Sequence, residues 1–158
     1  MRLTDAQTLL YMVIGVDFDG TIVEDRYPEI GPEIPFATDT LRMLIKQQHR
    51  VILWTVREGE LLKKAVDWCR ERGVEFYSIN KDYPEEKEEW NNHFSRKIKA
   101  NVFIDSHNVG GIPEWGQIYH MINDGTNFKT LVSEASRTSI DSYETPKNNW
   151  KKKLKLSK

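Results

Sequence analysis

The sequence predicts a three-layer α/β/α domain built on a Rossmann-like parallel sheet. Three observations carry this reading. Four short apolar runs are spaced along the chain, helical patterns lie between them, and the first and last runs lead directly into aspartates, Asp17 and Asp105. Short apolar runs bounded by turn residues read as buried strands. Strand–helix alternation implies parallel strands joined by right-handed crossovers. All strand carboxyl ends then share one edge, where open sheets of this kind bind ligands.

The first strand, Met12 to Val16, runs into Asp17-Phe18-Asp19-Gly20-Thr21. Gly20 and Thr21 suit a tight turn with exposed backbone amides. A loop follows from Glu24 to Pro35, rich in charge and broken by Pro28, Gly31 and Pro32. Ala37 to Gln48 is helical, with Ala37, Leu41, Leu44 and Ile45 at helical spacing. Val51 to Trp54 is the second strand and delivers Thr55 to its end. Glu60 to Glu71 forms an amphipathic helix with Leu61, Leu62, Ala65, Val66, Trp68 and Cys69 on one side. Gly73 stops it, and Val74 to Ile79 makes the third strand. Asn80 to Ser95 is a charged excursion with a short helix held by Trp90 and Phe94. Asn101 to Ile104 is the fourth strand, and Pro113 to Ile122 the last helix, with Pro113 in its first turn.

With 158 residues the chain fits one principal domain. We assign residues 12–132 to it, residues 1–11 to an N-terminal extension and residues 133–158 to a polar, lysine-rich tail. A net charge of −1 supplies no general drive toward nucleic acid or membrane. The tail segment Lys151-Lys152-Lys153-Leu154-Lys155 reads first as a solvated terminus and second as a contact for nucleic acid or another acidic surface. No stretch reaches the roughly 18 apolar residues that a membrane span needs. Leu9 to Val16 lacks the flanks of a signal peptide. The single cysteine, Cys69, has no internal disulfide partner, which favours a reducing, cytoplasmic setting. It belongs to the core rather than to a nucleophilic site. There is neither a GxxxxGK nor a GxGxxG motif, so P-loop nucleotide binding and hydride transfer are disfavoured.

Parallel strands would gather Asp17, Asp19, Thr55, Asn80 and Asp105 at one edge, with Lys97 just upstream of the fourth strand. Two carboxylates beside a glycine turn can hold a divalent cation and attack a phosphate bound to it. Arg57 has two readings, a clamp on a substrate phosphate or carboxylate and a surface arginine in a strand–helix loop. His107 and Asn108 sit beside Asp105 as candidate substrate contacts. His49, His93 and His120 have no ligand-like spacing and read as structural or exposed.

The Asp17–Thr21 segment, followed in order by Thr55, Lys97 and Asp105, resembles the motif set of the haloacid dehalogenase-like phosphohydrolases over about residues 12–122. The resemblance implies a Mg²⁺-dependent phosphomonoester hydrolase acting through an aspartyl-phosphate. Asp17 would be the nucleophile and Asp19 the general acid, with a carboxyl that must hold a proton at the right moment. Thr55, Lys97, Arg57 and backbone amides around Gly20, from Phe18 to Thr21, would bind phosphate. Asp17, Asp19 and Asp105 would hold Mg²⁺. Relatives often carry a second acid close behind the last motif's first one. Here Ser106-His107-Asn108 stands in that place, which implies weaker Mg²⁺ binding. The intervals Val23–Phe36 and Asn80–Ser95 are too short for a separate cap domain. An open site accepting bulky substrates, or a lid supplied by a homo-oligomer, follows from that. The expected substrate is a phosphorylated small molecule. The rival readings are a catalytically weak binding or regulatory protein and a nucleic-acid end-processing phosphatase.

Overall fold

The computed structural model describes residues 11–87 and 97–124. Most of the N-terminal extension, Trp90, His93, Phe94 and the lysine-rich tail lie outside the described residues. The elements are β1 (Val13–Val16), α1 (Ala37–Lys46), β2 (Arg50–Leu53), α2 (Gly59–Glu71), β3 (Ser78–Ile79), β4 (Val102–Ile104) and α3 (Trp115–Asn123). The four strands form one sheet in the order β3-β2-β1-β4, and every pairing is parallel. The fold is therefore α/β. Among the described residues, 11–119 belong to one compact unit and His120–Asp124 to a second. No described helix is long and apolar enough to cross a membrane.

β1 is a central strand, and its composition says why. Ile14 and Val16 are fully buried, as a parallel strand covered on both faces requires. Between them Gly15 pairs with Phe103 of β4. A Cβ built on Gly15 would stand 2.9 Å from the Phe103 ring and 3.0 Å from Ile98. The missing side chain is the space that the ring fills.

From β1 the chain moves to β2 on one side and returns, after β3, to β4 on the other. The loops leaving β1 and β4 therefore part company at the carboxyl edge. This reversal of strand order is where a sheet of this class opens a crevice.

Helix ends account for most differences from the expected boundaries. The third strand was expected over 74–79 but pairs only at Ser78–Ile79. Its first residues are engaged in closing α2: Gly73 N–H donates to Arg70 O at 2.9 Å and Val74 N–H to Cys69 O at 3.0 Å. Gly73 takes φ 75°, which together with these two bonds is the Schellman closure. α1 stops at Lys46 by the same device, with Gln48 at φ 70° and its N–H donated to Ile45 O. No glycine marks that stop, so the pattern ran on to Gln48. α3 begins at Trp115, two residues beyond Pro113, because the Glu114 carbonyl accepts the first helical bond, from Ile118 N–H.

The helices dock through identifiable contacts. The Trp68 ring of α2 meets Phe18 edge-on, with centroids 5.8 Å apart. Thr40 of α1 donates to the Trp115 carbonyl, and the Gln47 amide of α1 donates to the Tyr119 hydroxyl at 2.8 Å. At the amino edge of the sheet, remote from the acids, the Arg50 guanidinium lies over both the Tyr11 and Tyr77 rings.

His49 is buried, and its Nδ1 accepts the Met12 N–H at 3.0 Å. Burial lowers its pKa from the ordinary 6.5, so the folded ring stays neutral where the unfolded one takes up a proton. Stability is therefore lost as pH falls below about 6.5. In urea titrations at pH 7.5 and 5.5, wild type is expected to lose more stability on acidification than His49→Asn. Equal losses would remove this role. Cys69 is fully buried and its thiol is pushed up to about 12 by burial. A thiol reagent at pH 8 should leave the native protein unlabelled and modify it only after denaturation, as mass spectrometry would show.

Candidate active site

Asp17 is the residue immediately after β1, and its N–H continues the ladder to β4 by donating to Ile104 O at 3.0 Å. That bond sets the end of β1 beside the end of β4. A sharp turn follows. Gly20 takes φ 76°, and the N–H groups of Thr21, Ile22 and Val23 all converge on the Phe18 carbonyl, at 3.3, 2.9 and 3.2 Å.

The turn also latches onto the loop after β4. Ser106 N–H donates to the Thr21 hydroxyl at 3.0 Å, and that hydroxyl donates to Asp17 Oδ2 at 3.3 Å. A Cβ on Gly20 would stand 2.9 Å from Ser106 Oγ. Glycine is thus required twice there, for the left-handed backbone and for the close approach. The sequence reading gave Thr21 a place in the turn and in the set of phosphate-binding amides, and no role for its hydroxyl. Its bridging role depends on a partner 85 positions away, which no local pattern displays.

Asp105 lies just past β4. Its Oδ1 accepts the His107 N–H at 2.8 Å and stands 3.4 Å from His107 Nδ1. Asp17, Asp105 and His107 each present one ligand atom, and these atoms all lie within 4.8 Å of one another. An ion bound at about 2.1 Å separates adjacent ligand atoms by about 3 Å and opposite ones by about 4 Å. These three groups are close enough together that they could hold a metal ion. The Asp17 carboxyl is pushed up to about 6, chiefly by burial. The charges of Asp105 and Asp19 add to the rise, while the Phe18 N–H and the Thr21 hydroxyl oppose it. A cation among these groups would relieve that repulsion.

Asp19 is not in this set. Its two carboxylate oxygens accept the Nε and Nη2 N–H groups of Arg57, both at 2.7 Å. Arg57 is fully buried, and it also donates to Pro28 O at 3.0 Å and Glu29 O at 2.8 Å. Four of the five guanidinium N–H groups are thus engaged, and the ion pair raises the Arg57 pKa. Its Cζ lies over the rings of Phe18 and Tyr27, 5.1 and 5.3 Å from their centroids. The reading of Arg57 as a surface residue is corrected, since the side chain is fully buried, and four of its donors are turned to the protein rather than to a phosphate. Its donors are consumed in fastening the loop of residues 24–33 to the end of β1. Apart from Asp19, the acceptors are main-chain carbonyls, which carry no sequence signature. A carboxylate that accepts from Arg57 through both oxygens must leave that partner before it can donate a proton or bind a cation.

Thr55 reaches the edge as expected. Asn80, at φ 52°, holds its backbone from both sides: Thr55 N–H donates to Asn80 Oδ1 at 2.8 Å and Asn80 Nδ2 donates to Thr55 O at 2.9 Å. The Thr55 Oγ1 accepts Arg57 N–H at 3.2 Å, leaving its own O–H to donate elsewhere. Lys97 is exposed, and its ammonium lies 5.4 Å from the centroid of the Phe103 ring, two residues before Asp105. No ion pair engages it among the described residues. Of the amides expected to cradle phosphate, Phe18 N–H supports the Asp17 carboxylate and Thr21 N–H is given to Phe18 O. Those of Asp19 and Gly20 remain as candidates.

No protein-family model and no curated protein matches the chain. Among solved structures, a conserved protein from Bacteroides thetaiotaomicron is 61% identical, with a TM-score of 0.71. The match covers 77% of this chain and 97% of that one. The chain belongs to the family of that conserved protein. The relationship carries a shared fold and leaves the chemistry to be argued from the residues.

Arg57→Met should cost about 3–5 kcal/mol in urea unfolding, because it strands the Asp19 carboxylate without its counter-ion. A loss below about 1 kcal/mol, the range of exposed pairs, would show that the pair is not a buried anchor.

Proposed function

We propose that this chain is a phosphomonoester hydrolase of the haloacid dehalogenase-like type, dependent on a divalent cation, expected to be Mg²⁺, with Asp17 as its nucleophile. The observation that supports this most is the meeting of Asp17 and Asp105, 88 positions apart by number, at one switch-point crevice within the spacing of a shared ion. A strand end carrying a nucleophilic acid, opposite a second acid from the neighbouring strand, is what phosphoryl transfer to a carboxylate needs. A bound divalent cation supplies the charge neutralisation that lets an anionic nucleophile approach a phosphate dianion.

In this reading Asp17 and Asp105 would hold the cation, leaving a carboxylate oxygen of Asp17 to attack the phosphorus. The Asp17 O–P bond forms as the bond to the leaving alcohol breaks, giving an aspartyl-phosphate. Water then attacks the phosphorus, which restores the carboxylate and releases inorganic phosphate. Two moderate displacements replace one hard one. The Thr55 hydroxyl, fixed by Asn80 and Arg57, donates to a phosphoryl oxygen. The Asp19 and Gly20 amides and the Lys97 ammonium add positive character around the same oxygens. Asp19, once released from Arg57 and protonated from solvent, gives that proton to the leaving oxygen and takes one back from the attacking water; until then it anchors the loop.

The three-layer arrangement and the lack of a separate cap belong to this reading. The loop of residues 24–33 is a small flap, bound back by Glu24 N–H to Pro32 O at 2.8 Å and Ile34 N–H to Ile22 O at 2.9 Å. A site so lightly covered suits a bulky phosphorylated metabolite, or a second copy of the chain supplying the lid. The lone buried thiol fits a reducing cytoplasm.

The test is hydrolysis of a generic aryl phosphate and a panel of phosphorylated metabolites, with Mg²⁺ and with chelator. Wild type should turn over only with the ion. Asp17→Asn should lose at least about 10³-fold in kcat, as removal of a covalent nucleophile does. Near-normal turnover by that variant would remove the nucleophile assignment. Inactivity of wild type across the whole panel would remove the hydrolase reading.

A further inference from the structure

We propose that His107 is a cation ligand through Nδ1, so that the site binds a first-row transition ion such as Mn²⁺ more tightly than Mg²⁺. This rests on the reading above that Asp17 and Asp105 share a divalent cation, and it goes further by assigning a third protein ligand and the ion class it selects.

The geometry fits a ligand as well as a surface ion pair. The His107 imidazole stands 3.4 Å from Asp105 Oδ1, longer than the ~2.9 Å of a well-formed N–H···O bond. It is close to the spacing of two adjacent ligands on one ion. The Asp105 oxygen already accepts the His107 backbone N–H at 2.8 Å, and this bond fixes the loop so that the ring returns toward its own carboxylate. Asp17 completes a triad whose donor atoms all fall within 4.8 Å. Three donors from two loops, converging where the β1 and β4 turns are latched by Thr21 and Ser106, form a preorganised face for an ion.

The donor types decide which ion. Two carboxylates alone suit hard cations such as Mg²⁺, which keep their waters and take oxygen ligands. An imidazole beside the two carboxylates adds a softer, neutral nitrogen donor. Imidazole ligation favours first-row transition ions over Mg²⁺, and affinity for a nitrogen-containing site rises along that row from Mn²⁺. His107 therefore brings to this site a ligand of a different class from the two acids. His107 is exposed, so its ring is open to solvent on the far side and leaves room around the ion for water and a phosphate oxygen.

The experiment uses the full chain, stripped of metal by chelator and dialysed. Mn²⁺ and Mg²⁺ affinities are measured by calorimetry, and bound Mn²⁺ is read by pulsed electron paramagnetic resonance for coupling to ¹⁴N. Wild type should bind Mn²⁺ more tightly than Mg²⁺ and show imidazole nitrogen coupling. His107→Ala should lose that coupling and on the order of 10- to 100-fold in Mn²⁺ affinity, the scale on which even supporting partners of metal ligands act, with little change for Mg²⁺. Because His107 lies on the surface, this variant leaves the core untouched. Nitrogen coupling that is absent from wild type, or that survives in His107→Ala, overturns the inference while leaving an Asp17–Asp105 ion site standing. Failure of wild type to bind either ion overturns the shared-cation reading itself, and this inference with it.

Discussion

The pairing of Arg57 with Asp19 is the interaction around which the carboxyl edge is arranged. Three segments that do not otherwise share a regular element meet on one guanidinium: the end of β1, the loop of residues 24–33 and the turn leaving β2. Burying an ion pair carries a desolvation cost that well-packed apolar groups would avoid. What the charge contributes in return is direction. A forked cation facing two carboxylate oxygens and two carbonyls tolerates little displacement. Apolar packing could fill this space, but it would fix no such register. The rings of Phe18 and Tyr27 beside the guanidinium, and Trp68 edge-on to Phe18, extend that order into α2.

Sheet topology does the complementary task for Asp17 and Asp105. Because the chain runs to one side of β1 and comes back on the other, the two neighbouring carboxyl ends lead into diverging loops. Divergence alone would leave the acids free to separate. The Ser106–Thr21–Asp17 chain of hydrogen bonds closes the gap, and burial there, with the Asp105 charge adding to it, raises the Asp17 pKa to about 6. In the reading proposed above, a shared cation would offset the repulsion between the two acids.

Much of this was legible in the chain itself, and the reasons differ by residue. The strands of the sheet and the two acids at its ends follow from short apolar runs and their successors, since a buried parallel strand has little freedom in composition. Gly73 announced the end of α2 because few residues accept a left-handed backbone, whereas Gln48 adopts the same conformation without advertising it. Asp19 was expected beside the cation, and the structure turns it to Arg57 instead. Whether a carboxylate faces an ion or a guanidinium depends on a contact 38 positions away, which spacing cannot reveal. The Thr21 hydroxyl's bridge to Ser106 and the approach of His107 to Asp105 were hidden for the same reason. Their partners are fixed by how two loops lie against each other.

One empty position in β1 has reach beyond its own size. Phe103 lies against the strand only because Gly15 offers no methyl group there, and the Lys97 ammonium rests in turn on that ring. The resting place of a surface charge is thus tied to a hydrogen atom in the middle of the sheet. A methyl group at that interior position would displace the ring on which the exposed lysine lies, so the packing of the centre bears on the charge at the surface.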